Sequence, residues 1–179
     1  MSKVVLYTAV TIDGFIARPD GNLDWLHATP DPETGDYGYE ELLANTEVII
    51  MGRKTYDEVI GYGIDWPYKN FRTYVVTQNR NFIPGTPSTH ILTDDIKEFV
   101  LEQKQRSRKD IWLVGGGQLN THFINDGLID RMILTIIPKM LGDGIRLFAN
   151  KGVESGWKLV SVQSFNTGLV NLTYDFEGS

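Results

Sequence analysis

Two segments of the sequence combine glycine with groups that bind phosphate. In residues 48–56, an apolar run ends at Gly52 and is followed by two cations and a hydroxyl. In residues 111–119, a second apolar run ends in three consecutive glycines. Glycine lets the backbone approach a phosphate closely, and the N-terminus of a following helix offers free N–H groups and partial positive charge. Together the segments predict one site for a ligand that carries both a pyrophosphate and a ribose 2′-phosphate.

Each segment also has a simpler interpretation. Arg53 and Lys54 oppose the dipole of a helix that begins beside them, which favours a bound anion, but as surface cations they would cost only a few tenths of a kcal/mol. Residues 115–117 could form a tight strand-to-helix turn, because no further glycine follows where the Rossmann fingerprint requires one. Residues 74–80 end another strand pattern with polar side chains and an arginine. They would extend the phosphate pocket or form a polar turn.

The elements that would position these groups alternate between strand and helix. Apolar and β-branched runs predict strands at residues 4–10, 47–51, 73–77, 89–92, 110–114, 131–137, 157–165 and 169–176. Helical spacing and capping residues predict helices at residues 36–45, 53–60, 93–106 and 118–126. The alternation indicates an α/β protein with a mostly parallel central sheet and a C-terminal antiparallel hairpin. Ligands bind such sheets beyond the carboxyl ends of the strands, where both glycine segments lie.

Composition limits the class of protein. Residues 1–179 fit a single domain, and 41% of them are hydrophobic, as in ordinary globular proteins. The net charge of −6 disfavours nucleic-acid binding, and the solvated end of a helix explains the basic run at residues 104–109. No apolar run reaches the roughly 20 residues that cross a bilayer, and no signal peptide is predicted. With no cysteine and with dispersed His27, His90 and His122, we expect a cytoplasmic protein without a metal site.

Five motifs occur along the chain. Three of them are Met51-Gly52-Arg53-Lys54-Thr55-Tyr56, Val76-Thr77 and Val114-Gly115-Gly116-Gly117. Their order and spacing resemble the dihydrofolate-reductase superfamily over essentially the whole chain. The opening Thr8-Ala9-Val10-Thr11-Ile12-Asp13-Gly14-Phe15-Ile16-Ala17 is similar to the bacterial riboflavin-reductase branch, as are residues 137–148, which follow its Pro…Leu-Gly-x-Gly…Leu-Phe pattern. The resemblance implies a dihydrofolate-reductase-like three-layer α/β/α fold and an NADPH-dependent oxidoreductase of the riboflavin-biosynthesis type.

The resemblance also implies which residues bind NADPH. The nicotinamide would lie beside Ala9, Ile16 and Ala17. The phosphates would be bound by Gly52, Arg53, Lys54 and Thr55, with Arg53 nearest the 2′-phosphate. The pyrophosphate would be held by Val114, Gly115, Gly116, Gly117, Gln118 and Leu119. The adenosine side would be lined by Thr77, Gln78 and Asn79, with Arg80 as a further candidate. Members of the superfamily often have a cis peptide bond that maps to Gly115–Gly116.

Reduction of a C=N bond also needs a proton, which a carboxyl group could supply. Asp36 precedes the first glycine segment at a distance that resembles the position of the acid in dihydrofolate reductases, and an apolar site would raise its pKa. Asp36 could instead cap a helix, and Asp31 and Glu33 are close to it in the sequence. Asp13 is a rival substrate-binding acid or a turn residue. Trp25 would pack over the substrate or anchor the core.

The riboflavin branch implies 5-amino-6-(5-phosphoribosylamino)uracil as the substrate, with Lys139, Lys151 or Arg146 meeting its phosphate. A related pterin-like compound and dihydrofolate are alternatives. Dihydrofolate reductases usually carry an arginine where this chain has Phe71, and Arg72 should face the other side of the strand. A non-catalytic NADPH-binding regulatory protein is the alternative from another class. Family analogy favours a homodimer, and the exposed edge of the terminal hairpin could pair its subunits.

Overall fold

An eight-stranded sheet forms the centre of the fold. The computed structural model describes residues 1–26, 36–149 and 151–178, so His27, Asp31 and Glu33 lie outside the described residues. The strands are β1 (Val4–Thr11), β2 (Phe15–Ala17), β3 (Thr46–Gly52), β4 (Arg72–Val76), β5 (Thr89–Leu92), β6 (Asp110–Gly115), β7 (Arg131–Ile137), β8 (Ile145–Arg146), β9 (Gly156–Ser164) and β10 (Val170–Gly178). The helices are α1 (Tyr39–Asn45), α2 (Arg53–Gly61), α3 (Ile96–Arg106) and α4 (Gly117–Asn125).

The strand order of the main sheet is β5-β4-β3-β6-β1-β7-β10-β9. All pairings from β5 to β7 are parallel, whereas β10 is antiparallel to both β7 and β9. The predicted, mostly parallel sheet with a C-terminal antiparallel hairpin is therefore confirmed. A separate antiparallel pair is formed by β2 and β8. The sequence does not predict these two strands, because runs of three and two residues are too short to show a period.

Successive side chains along each strand point to opposite faces of the sheet, and helices pack against both faces. The fold therefore has three layers. On one face, Leu6 and Ile50 belong to an apolar cluster that contains Phe123 of α4. On the other face, Ile49 belongs to a cluster that contains Tyr56 of α2. Because strand neighbours such as Ile49 and Ile50 are both fully buried, helices must cover the sheet on each side. The carboxyl ends of the parallel strands remain open at one edge.

Charged side chains connect the terminal hairpin to the rest of the sheet. Asp175 on β10 accepts a hydrogen bond from the Arg131 Nε at 2.6 Å and one from the Lys3 ammonium at 3.2 Å. These donors, Arg131 above all, lower the pKa of Asp175 to about 2. Ionised Asp175 therefore stabilises the pairing of β10 with β7 at neutral pH.

Three helices start at positions that differ slightly from the predicted ones, and α4 begins one residue early, at Gly117. α1 begins at Tyr39 rather than Asp36, and α3 begins at Ile96 rather than Thr93. Polar residues that bind the free N–H groups of a helix precede its first turn, so a sequence pattern that includes them starts too early. Among the described residues, no helix combines the length and the apolar character needed to cross a membrane.

Candidate functional site

A cavity of about 2260 Å³ opens at the carboxyl ends of the parallel strands. Its lining includes residues that directly follow β3, β4 and β6, together with residues of β1 and β7. Parallel strands that alternate with helices deliver their carboxyl ends to the same edge of the sheet, so loops distant in sequence meet there. The cavity is therefore where polar groups that follow the strands can act on one ligand.

The two glycine segments lie side by side in this cavity. The Thr55 hydroxyl in the first turn of α2 donates a hydrogen bond to the Gly115 carbonyl oxygen at 3.3 Å. A Cβ atom on Gly52 would lie 3.5 Å from the same oxygen, and one on Gly116 would lie 3.2 Å from the Thr55 hydroxyl. Small residues at Gly52 and Gly116 thus allow the N-termini of α2 and α4 to approach each other. Gly115 itself lies beneath the surface of the cavity, whereas Gly116 and Gly117 line it.

The predicted cis peptide bond between Gly115 and Gly116 is wrong, because this bond is trans. The chain turns from β6 into α4 through φ values of +100° and +99° at these two glycines, a conformation that would be strained for residues with side chains.

Gly117 has a different constraint. A Cβ atom there would overlap the Arg146 carbonyl oxygen and lie 3.3 Å from the Ala149 side chain. Only glycine therefore fits between α4 and the segment that follows β8.

Three cations line the part of the cavity that surrounds the two helix starts. Arg53 bonds through Nε to both carboxylate oxygens of Asp57 at 2.8 Å, and its guanidinium lies 3.5 Å from the centre of the Phe82 ring. Lys54 is exposed and lines the cavity beside Arg53. Arg146 lines it from β8. Phe82 and Asp57 hold the Arg53 guanidinium in place, so the cavity presents fixed positive charge close to two sets of free N–H groups.

Residues from the other predicted segments divide between the cavity and the surface. Thr77, Gln78 and Asn79 follow β4 and line the cavity. Arg80 does not, since its guanidinium donates to the Asp94 carboxylate at 2.7 Å on the surface. Among the remaining predicted cofactor residues, those that also line the cavity are Ala9, Ile16, Ala17, Val114, Gln118 and Leu119.

Asp13 lies outside the cavity lining and holds two loops together. Its carboxylate accepts hydrogen bonds from the Thr11 hydroxyl at 2.6 Å and from the backbone N–H groups of Leu141 and Gly142 at 3.0 and 2.7 Å. The Thr11 hydroxyl is the main reason why the pKa of Asp13 lies below its ordinary value. All of these donors belong to the protein, so the carboxylate fixes the loop after β7 against the turn that leads into β2.

Asp36 lines the cavity but is exposed, not buried in an apolar site as the sequence led us to expect. Its carboxylate accepts hydrogen bonds from the backbone N–H groups of Gly38, at 3.2 Å, and Glu40. Asp36 is therefore not the N-cap residue, which is Gly38, but its carboxylate binds an N–H group in the first turn of α1. One carboxylate can both bind this N–H group and face the cavity, because each of its oxygens has more than one lone pair.

Four aromatic residues that sequence reasoning missed lie beside Asp36 in the cavity lining. This aromatic wall consists of Tyr7, Tyr39, Tyr68 and Trp112. Trp112 contacts Tyr7 and Tyr68 edge to face, with ring centres 6.5 and 5.5 Å apart. Their sequence positions gave no hint of a site. Tyr7 and Trp112 are typical of buried strands, and Tyr68 lies in an irregular segment.

The hydroxyl groups of the aromatic wall are hydrogen-bond donors at neutral pH. Burial raises the pKa of Tyr7 to about 12, and the nearby charge of Asp36 acts in the same direction, while the Thr135 hydroxyl acts against both. Burial also raises the pKa of Tyr68. The Tyr7 hydroxyl donates to the Tyr37 carbonyl oxygen at 3.2 Å. A substrate that reaches this wall therefore meets neutral hydroxyls and flat apolar rings.

Trp25 also lines the cavity, with only 2% of its surface exposed. Its indole Nε1 is buried and has no hydrogen-bond partner within the described residues. Of the three cations predicted to meet a substrate phosphate, only Arg146 lines the cavity. Lys139 instead donates to the Trp25 carbonyl oxygen at 3.2 Å. Lys151 lies outside the lining.

Comparison with known proteins assigns the chain to one family. Residues 2–171 match the family described as the RibD C-terminal domain. Uncharacterized protein YwjB of Bacillus subtilis (strain 168) is 34% identical over 163 residues, which cover 91% of this chain and 92% of that protein. A crystal structure from Shewanella sp. PV-4, provisionally assigned to riboflavin biosynthesis, has a TM-score of 0.89 at 25% identity and covers 98% of this chain and 99% of its own.

More distant structures share the fold. The diaminohydroxyphosphoribosylaminopyrimidine deaminase/5-amino-6-(5-phosphoribosylamino)uracil reductase of Thermotoga maritima has a TM-score of 0.71 at 18% identity, over 98% of this chain and 56% of its own. The dihydrofolate reductase of Enterococcus faecalis, complexed with NADP(H), has a TM-score of 0.69 at 17% identity. The match covers 98% of this chain and 96% of that reductase. The architecture is therefore a dihydrofolate-reductase-like α/β fold, as the resemblance implied.

Proposed function

Since the chain belongs to the RibD C-terminal domain family, we propose that it is an NADPH-dependent reductase that transfers hydride to a small heterocyclic substrate. The observation that carries this proposal is the meeting of two glycine-led helix starts, at Gly52 and Gly116, in one cavity that also contains Arg53 and Lys54. Two sets of free backbone N–H groups and fixed cations match a ligand with two separate phosphate groups. NADPH is such a ligand.

The residues present fit NADPH in both shape and chemistry. Gly116 and Gly117 line the cavity at the start of α4, so a pyrophosphate could lie against the backbone there. Arg53 and Lys54 would bind the 2′-phosphate, and residues 77–79 would line the adenosine. The nicotinamide ring would lie beside Ala9, Ile16 and Ala17, which line the cavity. We assign the predicted cofactor residues that line the cavity to these roles.

Bound NADPH would supply the hydride, and the chain's own residues would orient the substrate and supply a proton. The aromatic wall would hold a planar ring by stacking and edge contacts. The Tyr7 hydroxyl, which donates its single proton to the Tyr37 carbonyl oxygen, would offer its oxygen as an acceptor to a substrate N–H group. The Asp36 carboxyl would hold or deliver the proton that the reduced C=N or C=O bond requires. The Trp25 ring, which lines the cavity, would pack beside the substrate.

The resemblance to the riboflavin branch makes 5-amino-6-(5-phosphoribosylamino)uracil the first substrate to test. The Thermotoga maritima protein is named as a reductase of this compound. A pterin-like compound and dihydrofolate are the comparison substrates. Dihydrofolate is the weaker candidate because Phe71 occupies the position where dihydrofolate reductases usually carry the arginine that binds the glutamate.

Two measurements test the proposal. Titration calorimetry should detect NADPH binding and a clear preference over NADH. The near-ultraviolet absorbance of NADPH should then fall on addition of a substrate. Absence of NADPH binding would refute the proposal. Binding without oxidation by any substrate would instead favour a regulatory NADPH-binding protein.

We also propose that two copies of the chain associate through β9. Within the described residues β9 is the last strand of the sheet and pairs with β10 alone. Its exposed residues include Leu159, Val160 and Val162, each with about half of its surface accessible. An unpaired strand edge that carries apolar side chains readily pairs with an equivalent edge.

A further inference from the structure

The cavity has two ends of opposite charge. We call the part around the two helix starts the cofactor end, and its cations are Arg53, Lys54 and Arg146. We call the part around the aromatic wall, Trp25 and Asp36 the substrate end. These three cations account for every Lys and Arg in the described lining. Residues 27–35, which are not described, contain neither lysine nor arginine.

Carboxylates also line the cavity outside the two helix starts. Asp20 lies in the loop that follows β2, and Glu58 lies on α2 across from it. A Cβ atom on Gly21 would lie 3.8 Å from the Glu58 Oε1, so the loop contacts this side chain closely. Burial, together with the charge of Asp20, raises the pKa of Glu58. With Asp36, three carboxylates other than Asp57, the partner of Arg53, line the cavity.

The cofactor would use the available positive charge. A ribose 2′-phosphate carries roughly −1.5 to −2 at neutral pH, and the pyrophosphate adds further negative charge. Arg53 is already paired with Asp57. The three cations at the cofactor end are therefore neutralised once a phosphorylated dinucleotide binds there. In the described lining of the substrate end, a phosphate on the substrate would find carboxylates and aromatic rings, since Lys139, whose ammonium bonds to the Trp25 carbonyl oxygen, does not line the cavity.

We propose that the substrate is a planar heterocycle without a phosphate group, neutral or positively charged where it passes between Asp20 and Glu58. The ring lies on the aromatic wall, beside the largely buried Trp25 ring that also lines the cavity. The selection acts through charge, because like charges brought together at close range are strongly unfavourable. This inference rests on the proposed reductase function. It separates the chain from enzymes whose substrate carries a phosphoribosyl group.

The test uses pairs of compounds that differ only in a phosphate. One pair is 5-amino-6-ribosylaminouracil and its 5′-phosphate, and the other is dihydroneopterin and its phosphate. Binding of each compound to the protein saturated with NADP⁺ is measured by calorimetry, and NADPH consumption gives kcat/KM. We expect the unphosphorylated member of a pair to bind at least about tenfold more tightly. Equal or tighter binding of the phosphorylated members overturns the inference, and so does binding by none of the four.

A charge-reversing variant identifies the cause of the selection. Glu58→Lys should reduce the preference for the unphosphorylated compound by about tenfold, and Glu58→Gln should reduce it by less. Glu98→Lys makes the same change in net charge at an exposed position of α3, on the opposite face of the sheet, and should leave the preference unchanged. An unchanged preference in Glu58→Lys, in protein with wild-type circular dichroism, overturns the inference.

The outcomes distinguish the inference from the function on which it rests. If the wild-type chain does not bind NADPH, the proposed reductase function itself fails. If it binds NADPH and reduces phosphorylated compounds preferentially, the reductase function stands and only the inference about the substrate fails.

Discussion

Replacement of Arg53 by alanine should weaken NADPH binding much more than NADH binding. The two dinucleotides differ only in the 2′-phosphate, which the proposed site places beside Arg53. The Arg53 guanidinium is held against the Phe82 ring at 3.5 Å and against Asp57 at 2.8 Å. It is therefore oriented before the cofactor arrives, which limits the entropy lost on binding.

The expected loss follows from the interactions that this side chain makes. Hydrogen bonds that involve charged groups contribute about 1.5–3 kcal/mol each. The Arg53–Asp57 pair is about 40–50% exposed in its side chains, and such i,i+4 pairs contribute only about 0.3–0.5 kcal/mol. A phosphate can therefore compete with Asp57 for the guanidinium. We expect the NADPH dissociation constant to rise about 10- to 150-fold in Arg53→Ala.

Titration calorimetry with both dinucleotides measures this effect. Arg80→Ala is the matched control, because Arg80 pairs with Asp94 on the surface and does not line the cavity. It should bind both dinucleotides as the wild type does. Equal losses of NADPH and NADH affinity in Arg53→Ala would show that the residue acts on the common part of the cofactor. Unchanged NADPH affinity would refute the assignment of the 2′-phosphate site.

Four further changes test other parts of the structure. Asp36→Asn should lower turnover about 10²- to 10⁴-fold while NADPH affinity stays the same, because the amide cannot deliver the proton. Gly117→Ala should lower the free energy of unfolding in denaturant by about 1–3 kcal/mol, since the new methyl group overlaps the Arg146 carbonyl oxygen. Ionised Asp175 stabilises the fold above its ordinary pKa of 3.8, and this contribution is lost as the pH falls towards about 2. Asp175→Asn should therefore flatten the pH dependence of unfolding between these values, by about 1–2 kcal/mol. Val160→Lys should convert the proposed dimer into a monomer in light scattering.

Each of these predictions has a control or a result that contradicts it. Unaltered turnover in Asp36→Asn would eliminate this residue as the acid. Gly61→Ala is the control for Gly117→Ala, because Gly61 lies at a helix end where the new Cβ meets nothing within 4 Å, and it should leave stability unchanged. A similar loss of stability in Gly61→Ala would mean that the overlap at Gly117 is not the cause. An unchanged acid profile in Asp175→Asn would mean that other carboxylates control acid unfolding. A monomeric wild-type chain in light scattering would refute the proposed β9 interface.

The local sequence pattern was enough to predict the main elements and the position of the glycine segments. The run from Arg131 to Ile137 has the bounds of β7, because a strand pattern depends only on neighbouring residues. Gly52 and Gly116 could be placed at helix starts for the same reason. Alternation of strands with helices then brings the two starts to one edge of the sheet, since parallel strands end on the same side.

Tertiary structure alone decided what surrounds these segments. Asp13 accepts hydrogen bonds from Leu141 and Gly142, more than 120 residues away, which no local pattern contains. The aromatic wall and the separation of carboxylates from cations also depend on which strands are neighbours and on where the loops pass. Short-range periodicity specifies the element to which a residue belongs. The side chains that share a cavity are fixed only when the whole sheet has packed.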